Sequence, residues 1–109
     1  MTNATNKIAT VLQNRNGIFF EPNETEPFTG TVVTKYESNG QKQSETNYKD
    51  GVQEGLETSW FENGQKQSEA SYKDGKISSL LILWDENGQK KNEENYKNGV
   101  FVGNLKEKP

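Results

Sequence analysis

The stretch NGQKQSE occupies residues 39–45 and recurs without change at residues 63–69. A third copy, NGQKKNE, occupies residues 87–93, so that consecutive copies are offset by 24 residues. The same offset relates two further sets of residues: Tyr48, Tyr72 and Tyr96, and Gly51, Gly75 and Gly99. Self-similarity at a fixed period of this length is typical of folds that add one supersecondary unit to the next. The sequence therefore predicts a repeat protein.

Each unit contains two signals for a tight turn. Asn-Gly begins at positions 39, 63 and 87, and Asp-Gly or Asn-Gly begins at positions 50, 74 and 98. These dipeptides tolerate the positive φ that tight hairpin turns require. The runs between them, about 9 and 11 residues, are long enough for strands of roughly 30 Å, and none has the apolar spacing of a helix. We predict an all-β fold, a single-layer antiparallel β-meander of repeated hairpins.

The composition indicates that this sheet is thin. Only 28% of the 109 residues are hydrophobic, too few to fill a thick core. Such polarity also fits a disordered chain, but two Trp, four Tyr and five Phe, many at recurring positions, favour an ordered one. We predict a single domain over residues 1–109, with residues 1–7 frayed. Its repeats are expected at about residues 28–51, 52–75 and 76–99, with a partial repeat at 100–109.

The even repeat length predicts rows of like side chains. Strand side chains alternate between faces with period two, so each repeat presents the same residue type on the same face. Tyr48, Tyr72 and Tyr96 form one expected row. If both turns are two-residue loops, Tyr72 falls opposite Gly55, where an aromatic ring would cover bare backbone. A bulge at either turn would change this register, and the sequence leaves that open.

The sequence lacks residues that many catalytic and metal-binding sites require. The chain has no His and no Cys, which removes the commonest general base, the thiolates and the usual ligands of zinc. We expect Glu45, Glu69 and Glu93 to pair across strands with lysines and not to catalyse. Lys and Glu alternate at a net charge of −3, which gives no field for nucleic acid. No apolar run approaches the roughly 20 residues of a membrane-spanning helix. We expect a non-enzymatic protein with no cofactor, no metal, no nucleic-acid partner and no membrane insertion.

One segment breaks the repeat pattern. Residues 77–84, ISSLLILW, are apolar on both parities, whereas the preceding repeat has Glu57, Thr58 and Ser59 where this segment has Leu81, Ile82 and Leu83. Leu80, Ile82 and Trp84 are expected on one face and Ile77, Leu81 and Leu83 on the other, so in a single-layer sheet this strand exposes apolar groups on at least one side. Either Ile8, Val11 and Leu12 or the loop 21–27 covers it, or it contacts a second chain, as a partner or by self-association. The predicted partner-binding residues are Trp60, Leu80, Leu81, Ile82, Leu83 and Trp84.

The pattern of an aromatic residue, two further residues, NGQK and then YKDG, together with PFTGTV at residues 27–32, resembles the MORN repeat variant of the bacterial YwqK antitoxin family. The resemblance covers about residues 16–103. It implies a single-layer antiparallel sheet and a protein-binding role, specifically an antitoxin or immunity-type protein that neutralises a toxin by occlusion. The alternative is a carbohydrate or cell-surface binding module in which Tyr36, Trp60 and Trp84 stack on sugar rings. A bacterial protein is implied, cytoplasmic or secreted with its leader removed.

Overall fold

The computed structural model describes residues 7–104 and contains ten strands and no helix within them. The strands are β1 Lys7–Ala9, β2 Gln13–Arg15, β3 Ile18–Phe20, β4 Gly30–Lys35, β5 Lys42–Lys49, β6 Val52–Trp60, β7 Lys66–Lys73, β8 Lys76–Trp84, β9 Lys90–Lys97 and β10 Val100–Asn104. Eight of them form one sheet in the order β1-β4-β5-β6-β7-β8-β9-β10, and β2 pairs with β3 in a separate hairpin.

The predicted antiparallel meander is confirmed from β4 to β10, where each strand pairs with the next along the chain. Two features were not predicted: β1 pairs with β4 in parallel, and β2 and β3 form their own two-stranded sheet. Of the segment predicted to fray, Lys7 begins β1 and residues 1–6 lie outside the described residues. Of the partial last repeat, residues 100–104 form β10 and residues 105–109 also lie outside them.

The two turns of a repeat have different geometries. In the Asp-Gly turns both residues have positive φ, as at Asp74 (52°) and Gly75 (82°), which is the two-residue type I′ hairpin. In the Asn-Gly turns that begin at Asn39, Asn63 and Asn87 only the glycine has positive φ. In the second of them Gly64 N donates to Phe61 O at 2.9 Å while Phe61 N donates to Gln65 O at 2.8 Å. This is the type I turn followed by a bulge that the sequence left open.

The bulge sits beside the turn and leaves the rest of the strand pair in the predicted register. The register shifts between Ser59 and Trp60, so that Trp60 faces Lys66, but Ser59 and the residues before it keep the pairing of a two-residue loop. Tyr72 accordingly lies opposite Gly55, as predicted. Gly30 faces Tyr48 in the same way in the first repeat.

The sheet has almost no buried core. Ala9, Phe28 and Ala70 are the buried apolar residues among those described. Most other side chains in the strands are half-buried, covered only by their neighbours in the same layer. Hydrogen bonds between hydroxyl groups link neighbouring strands. Thr34 bonds to Ser44 at 2.6 Å, and Ser59 bonds to Ser68 at 2.6 Å. The low hydrophobic content of the sequence is therefore sufficient, because a single layer has no interior to fill.

Hydrogen bonds from turn to strand join each repeat to the one before it. Gly51 N donates to Phe28 O at 2.8 Å, and the same bond recurs as Gly75 N to Gln53 O at 3.0 Å and Gly99 N to Ile77 O at 3.1 Å. At the opposite end of the strands, the side-chain amides of Asn39 and Asn63 donate to the carbonyls of Glu62 and Glu86, each at 2.9 Å. Successive repeats are thus held together at both ends of their strands.

The N-terminal hairpin covers one end of the sheet. The ring of Phe19 lies 5.3 Å from that of Tyr48, and the buried ring of Phe28 meets Tyr48 edge-on at 6.1 Å. Phe19 N donates to Gly51 O at 2.8 Å, which ties β3 to the first Asp-Gly turn. The first repeat is therefore capped by the chain that precedes it. No helix within residues 7–104 is long and apolar enough to cross a membrane.

Candidate partner-binding surface

The six predicted partner-binding residues lie on two strands but on opposite faces of the sheet. Residues directly opposite each other in a ladder share a face. Leu80, Ile82 and Trp84 face Asn95, Glu93 and Lys90, whereas Leu81 and Leu83 face Glu94 and Asn92. Trp60 faces Lys66 and shares the first of these faces. We call the face with Trp60, Leu80, Ile82 and Trp84 the tryptophan face, and the face with Leu81, Leu83 and the tyrosine row the tyrosine face.

The predicted cover for β8 by the N-terminal segment is wrong. β1 lies five positions from β8 in the sheet, a distance of about 24 Å at roughly 4.8 Å per strand. Ile8 and Val11 are 72% and 60% exposed, so they are not buried against β8. Loop 21–27 is held near the same edge, because Glu21 pairs with Lys7 at 3.2 Å and Glu24 O accepts from Arg15 at 2.7 Å. The apolar side chains of β8 are half-buried by the neighbouring strands instead.

On the tryptophan face, lysines lie over the indole rings. Lys42 Nζ is 5.7 Å from the ring centroid of Trp60, and Lys66 Nζ is 5.7 Å from that of Trp84. At this separation an ammonium group is attracted by the negative charge of the ring face. The repeat thus places one lysine on each tryptophan, and part of each ring face is occupied by a cation.

The same lysines form ion pairs with the row of glutamates, but not in the predicted geometry. Lys42 contacts Glu45 at 2.9 Å, Lys66 contacts Glu69 at 3.1 Å, and Lys90 contacts Glu93. Each pair lies within one strand, three residues apart, and not across strands. Residues three apart on a regular strand point to opposite faces, but the bulge beside each Asn-Gly turn adds one residue and returns both to the same face. These pairs are partly exposed, so each contributes about 0–1 kcal/mol.

Two apolar columns run along β6 and β8 on the tryptophan face. Leu56 shares this face with Trp60 and is 48% exposed. Leu80, one repeat later, shares it with Ile82 and Trp84. Between the columns lie the polar side chains of β7. The sequence prediction missed Leu56, although its parity matches that of Trp60 and its repeat position matches that of Leu80. We define the Leu-Trp patch as Leu56, Trp60, Leu80, Ile82 and Trp84.

The tyrosine face is polar in the second repeat and apolar in the third. Leu81 and Leu83 lie opposite Ala70 and Ser68, and they occupy the places that Glu57 and Ser59 hold one repeat earlier. Tyr48, Tyr72 and Tyr96 form the predicted row on this face. Phe19 contacts Tyr48 at one end of the row, and Phe101 lies 5.6 Å from Tyr96 at the other. The tyrosine row is therefore a packed structural element.

Burial and the carboxylate of Glu57 raise the pKa of two neighbouring tyrosines. The pKa of Tyr72 is raised to about 12, mainly by partial burial and to a smaller extent by the charge of Glu57 and a hydrogen bond to it. Burial and the Glu57 charge also raise the pKa of Tyr48. The hydroxyl of Tyr96 donates to Glu94 at 3.0 Å, which raises the pKa of Tyr96. At neutral pH the hydroxyls of all three tyrosines are protonated. Within residues 7–104 no cluster of Asp and Glu is arranged to hold a metal ion.

A family model described as the MORN repeat variant matches residues 31–50, 53–74 and 80–98. The chain belongs to the MORN repeat variant family. Each matched segment lies inside one of the repeats predicted from the sequence, and the alternating strands and turns of the sheet account for all three. MORN repeat proteins are generally non-catalytic β-repeat modules that serve in binding. No curated protein and no solved structure matches the chain.

The first MORN repeat departs from the other two by one residue. Its Asn-Gly turn is longer, because Gly40 N donates to Tyr36 O, four residues back, where Gly64 N reaches only three residues back to Phe61 O. Lys35, not Tyr36, therefore pairs with Lys42 in the place where Trp60 pairs with Lys66. Tyr36 instead donates its hydroxyl to Trp60 O at 2.7 Å. The predicted aromatic ladder thus contains two tryptophans in register, and Tyr36 is a structural contact beside them.

Proposed function

We propose that this MORN repeat domain is a non-catalytic protein-binding module and that it engages its partner through the Leu-Trp patch. The observation that carries the proposal is the arrangement of Leu56, Leu80 and Ile82 with two tryptophans on one open face. Leu56 is 48% exposed, and within residues 7–104 no second layer of the sheet covers the patch. Tryptophan is the residue type most enriched at the centres of protein interfaces.

The charged side chains around the Leu-Trp patch favour a protein over a sugar as the partner. A sugar ring stacks on an open indole face, but Lys42 and Lys66 lie over Trp60 and Trp84. The lysines also pair with glutamates in the same rows. Apolar columns flanked by charges of both signs match the anatomy of a protein interface, with an apolar centre and a polar rim. Carbohydrate binding is therefore the less favoured of the two functions.

The resemblance to the YwqK antitoxin family narrows the proposed partner to a toxin. In this form of the proposal, the sheet covers the active surface of the toxin and blocks it by occlusion. Its support is the repeat pattern NGQK followed by YKDG and the open apolar patch that a rigid, single-layer sheet presents. The partner would then be an enzyme whose activity falls in proportion to the amount of this chain added.

A pair of matched variants tests the proposed surface. Leu56→Thr with Leu80→Thr removes two side chains from the tryptophan face, and Leu81→Thr with Leu83→Ser removes two from the tyrosine face. Threonine keeps a high strand propensity, and serine already stands at the place of Leu83 one repeat earlier, as Ser59. Both variants are therefore expected to retain the sheet, which circular dichroism checks. Each leucine contributes about 1.5–3 kcal/mol when it is fully buried. The first variant should therefore lower the affinity for the partner by at least roughly tenfold.

The assay begins with the wild-type chain as bait in an extract of its source organism. The recovered partner is then purified, and its affinity for the wild type and both variants is measured by calorimetry. The proposal expects a loss confined to the tryptophan-face variant. Recovery of a polysaccharide and no protein, or a loss confined to the tyrosine-face variant, would contradict it. The toxin form is contradicted if the partner has no activity that the chain inhibits.

A further inference from the structure

β10 is an edge strand with an apolar sequence. Within residues 7–104 no strand pairs with its outer side. Val100, Phe101 and Val102 are 62%, 50% and 54% exposed. Folded proteins usually protect such edges, because unpaired backbone groups are a template for another strand. At the opposite end of the sheet the edge strand is β1, which pairs with β4 and has only three residues, and the β2–β3 hairpin is hydrogen-bonded to the first repeat; very short edge strands are one way of limiting such pairing. The two ends of the sheet are therefore not equivalent.

The interior repeats show what kind of strand fits beside β10. In the first repeat Tyr48 of β5 lies opposite Gly30 of β4, and in the second Tyr72 of β7 lies opposite Gly55 of β6. Both glycines have positive φ, 153° and 100°. Gly103 of β10 also has positive φ, 142°. A Cβ atom placed at Gly103 would meet nothing within 4 Å, and one placed at Gly55 would meet Asn47 Cβ at 3.7 Å, so the backbone at Gly103 is open as it is at Gly55.

The turn-to-strand hydrogen bonds give a second, independent indication. The glycine of each Asp-Gly or Asn-Gly turn donates to a carbonyl of the preceding repeat, and the last two acceptors are Gln53 and Ile77. The next carbonyl in this series belongs to Phe101, 24 residues after Ile77. At the other end of the strands, Asn39 and Asn63 donate to the following repeat, and Asn87 is the next donor in that series. Both series point to one more hairpin beside β10.

We infer that the outer edge of β10 binds a strand of a partner polypeptide that has the MORN pattern Lys-x-x-Glu-x-x-Tyr-Lys followed by Asp-Gly or Asn-Gly. The tyrosine of that strand covers Gly103, and the glycine of its turn donates to Phe101 O. A folded second copy of this chain does not supply such a strand, because β5, β7 and β9 are paired on both sides. The partner class is therefore another polypeptide in which a strand of this repeat pattern has an unpaired edge. This edge is separate from the Leu-Trp patch.

A peptide with the sequence of residues 64–75, GQKQSEASYKDG, is the probe. It is labelled with a fluorophore, and its binding to the full chain is followed by anisotropy and by amide chemical shifts. The control peptide carries Tyr72→Ser and is otherwise identical. Because a cross-strand aromatic contact worth up to about 1 kcal/mol is lost, the control should bind up to about fivefold more weakly. Shift changes should concentrate at residues 100–104.

A second pair of variants separates this inference from the proposed function. Gly103→Leu fills the space meant for the tyrosine and should abolish the difference between the two peptides, while circular dichroism confirms that the sheet remains. Leu56→Thr with Leu80→Thr should bind the probe as the wild type does. The inference is overturned if neither peptide binds at about 1 mM, or if both bind equally to the wild type. It is also overturned if light scattering shows a dimer that the probe does not dissociate and the amide shifts place residues 100–104 in the dimer interface.

Discussion

Gly51 and Gly75 provide a matched test of how the N-terminal hairpin is attached. Both are the second residue of an Asp-Gly turn, and their φ angles are nearly the same, 85° and 82°. Their surroundings differ. A Cβ atom on Gly51 would lie 2.3 Å from Ile18 Cγ2 and 3.0 Å from Pro27 Cβ, whereas a Cβ on Gly75 would meet nothing within 4 Å. Replacement of each by alanine therefore separates the cost of backbone strain from the cost of steric overlap.

The magnitudes follow from these two terms. An alanine in the left-handed region costs about 1–2 kcal/mol, and this applies to both positions. At Gly51 the overlap adds about 1–3 kcal/mol, because the side chain of Ile18 and the backbone of the hairpin must move. The movement also disturbs the bonds from Phe19 N to Gly51 O and from Gly51 N to Phe28 O. We expect Gly51→Ala to lower the free energy of unfolding by about 2–5 kcal/mol and Gly75→Ala by about 1–2 kcal/mol.

Urea unfolding followed by tryptophan fluorescence measures both values. Thermal melts give an independent comparison, since each kcal/mol corresponds to roughly 4–8 °C in a domain near this size. Equal destabilisation by the two alanines would refute the reasoning, because it would mean that the hairpin does not pack against Gly51 in solution.

Two further predictions concern the turns and the tyrosine row. Gly75→Val should lower the melting temperature more than Lys66→Ala does, because a β-branched residue at positive φ is strained, and equal melting temperatures would show that the turn does not need positive φ. Glu57→Gln should lower the pKa of Tyr72 from about 12, since it removes the negative charge beside the ring, and absorbance at alkaline pH measures it. The raised pKa contributes stability that is complete below the usual tyrosine pKa of about 10 and is lost as pH rises toward 12; a wild-type stability that does not fall across this window would contradict the assignment.

The repeating part of the fold could be predicted because its signals are local. The Asn-Gly and Asp-Gly dipeptides fixed the turns, and the even period fixed which residues share a face. The opposition of Tyr72 and Gly55 followed from these two facts. The parallel pairing of β1 with β4 could not be predicted, because Lys7–Ala9 carries no turn signal and its partner lies far along the chain.

Part of the geometry of the candidate site could be predicted from the sequence. The alternation of strand side chains placed Leu80, Ile82 and Trp84 on one face and Leu81 and Leu83 on the other, and the register of β8 with β9 confirms this division. That these residues bind a partner stays a prediction. Leu56 was missed because a single leucine in a polar strand gives no apolar pattern of its own. Its place beside the tryptophans became clear only from the register of β6 with β7. The single extra residue before Gly40 shifted Tyr36 out of the tryptophan row. The sequence signals this residue through Gly30, which lies nine residues before Asn39, whereas Gly55 lies eight residues before Asn63.

The two indole groups offer the most direct test of the binding surface. The chain has two tryptophans, Trp60 and Trp84, and both belong to the Leu-Trp patch. In a nitrogen-15 labelled sample each gives one resolved Nε1–H signal, which Trp60→Phe assigns. Titration with the purified partner should shift or broaden both signals while the amides of the tyrosine row stay unchanged. Saturating partner that leaves both indole signals in place would contradict the account.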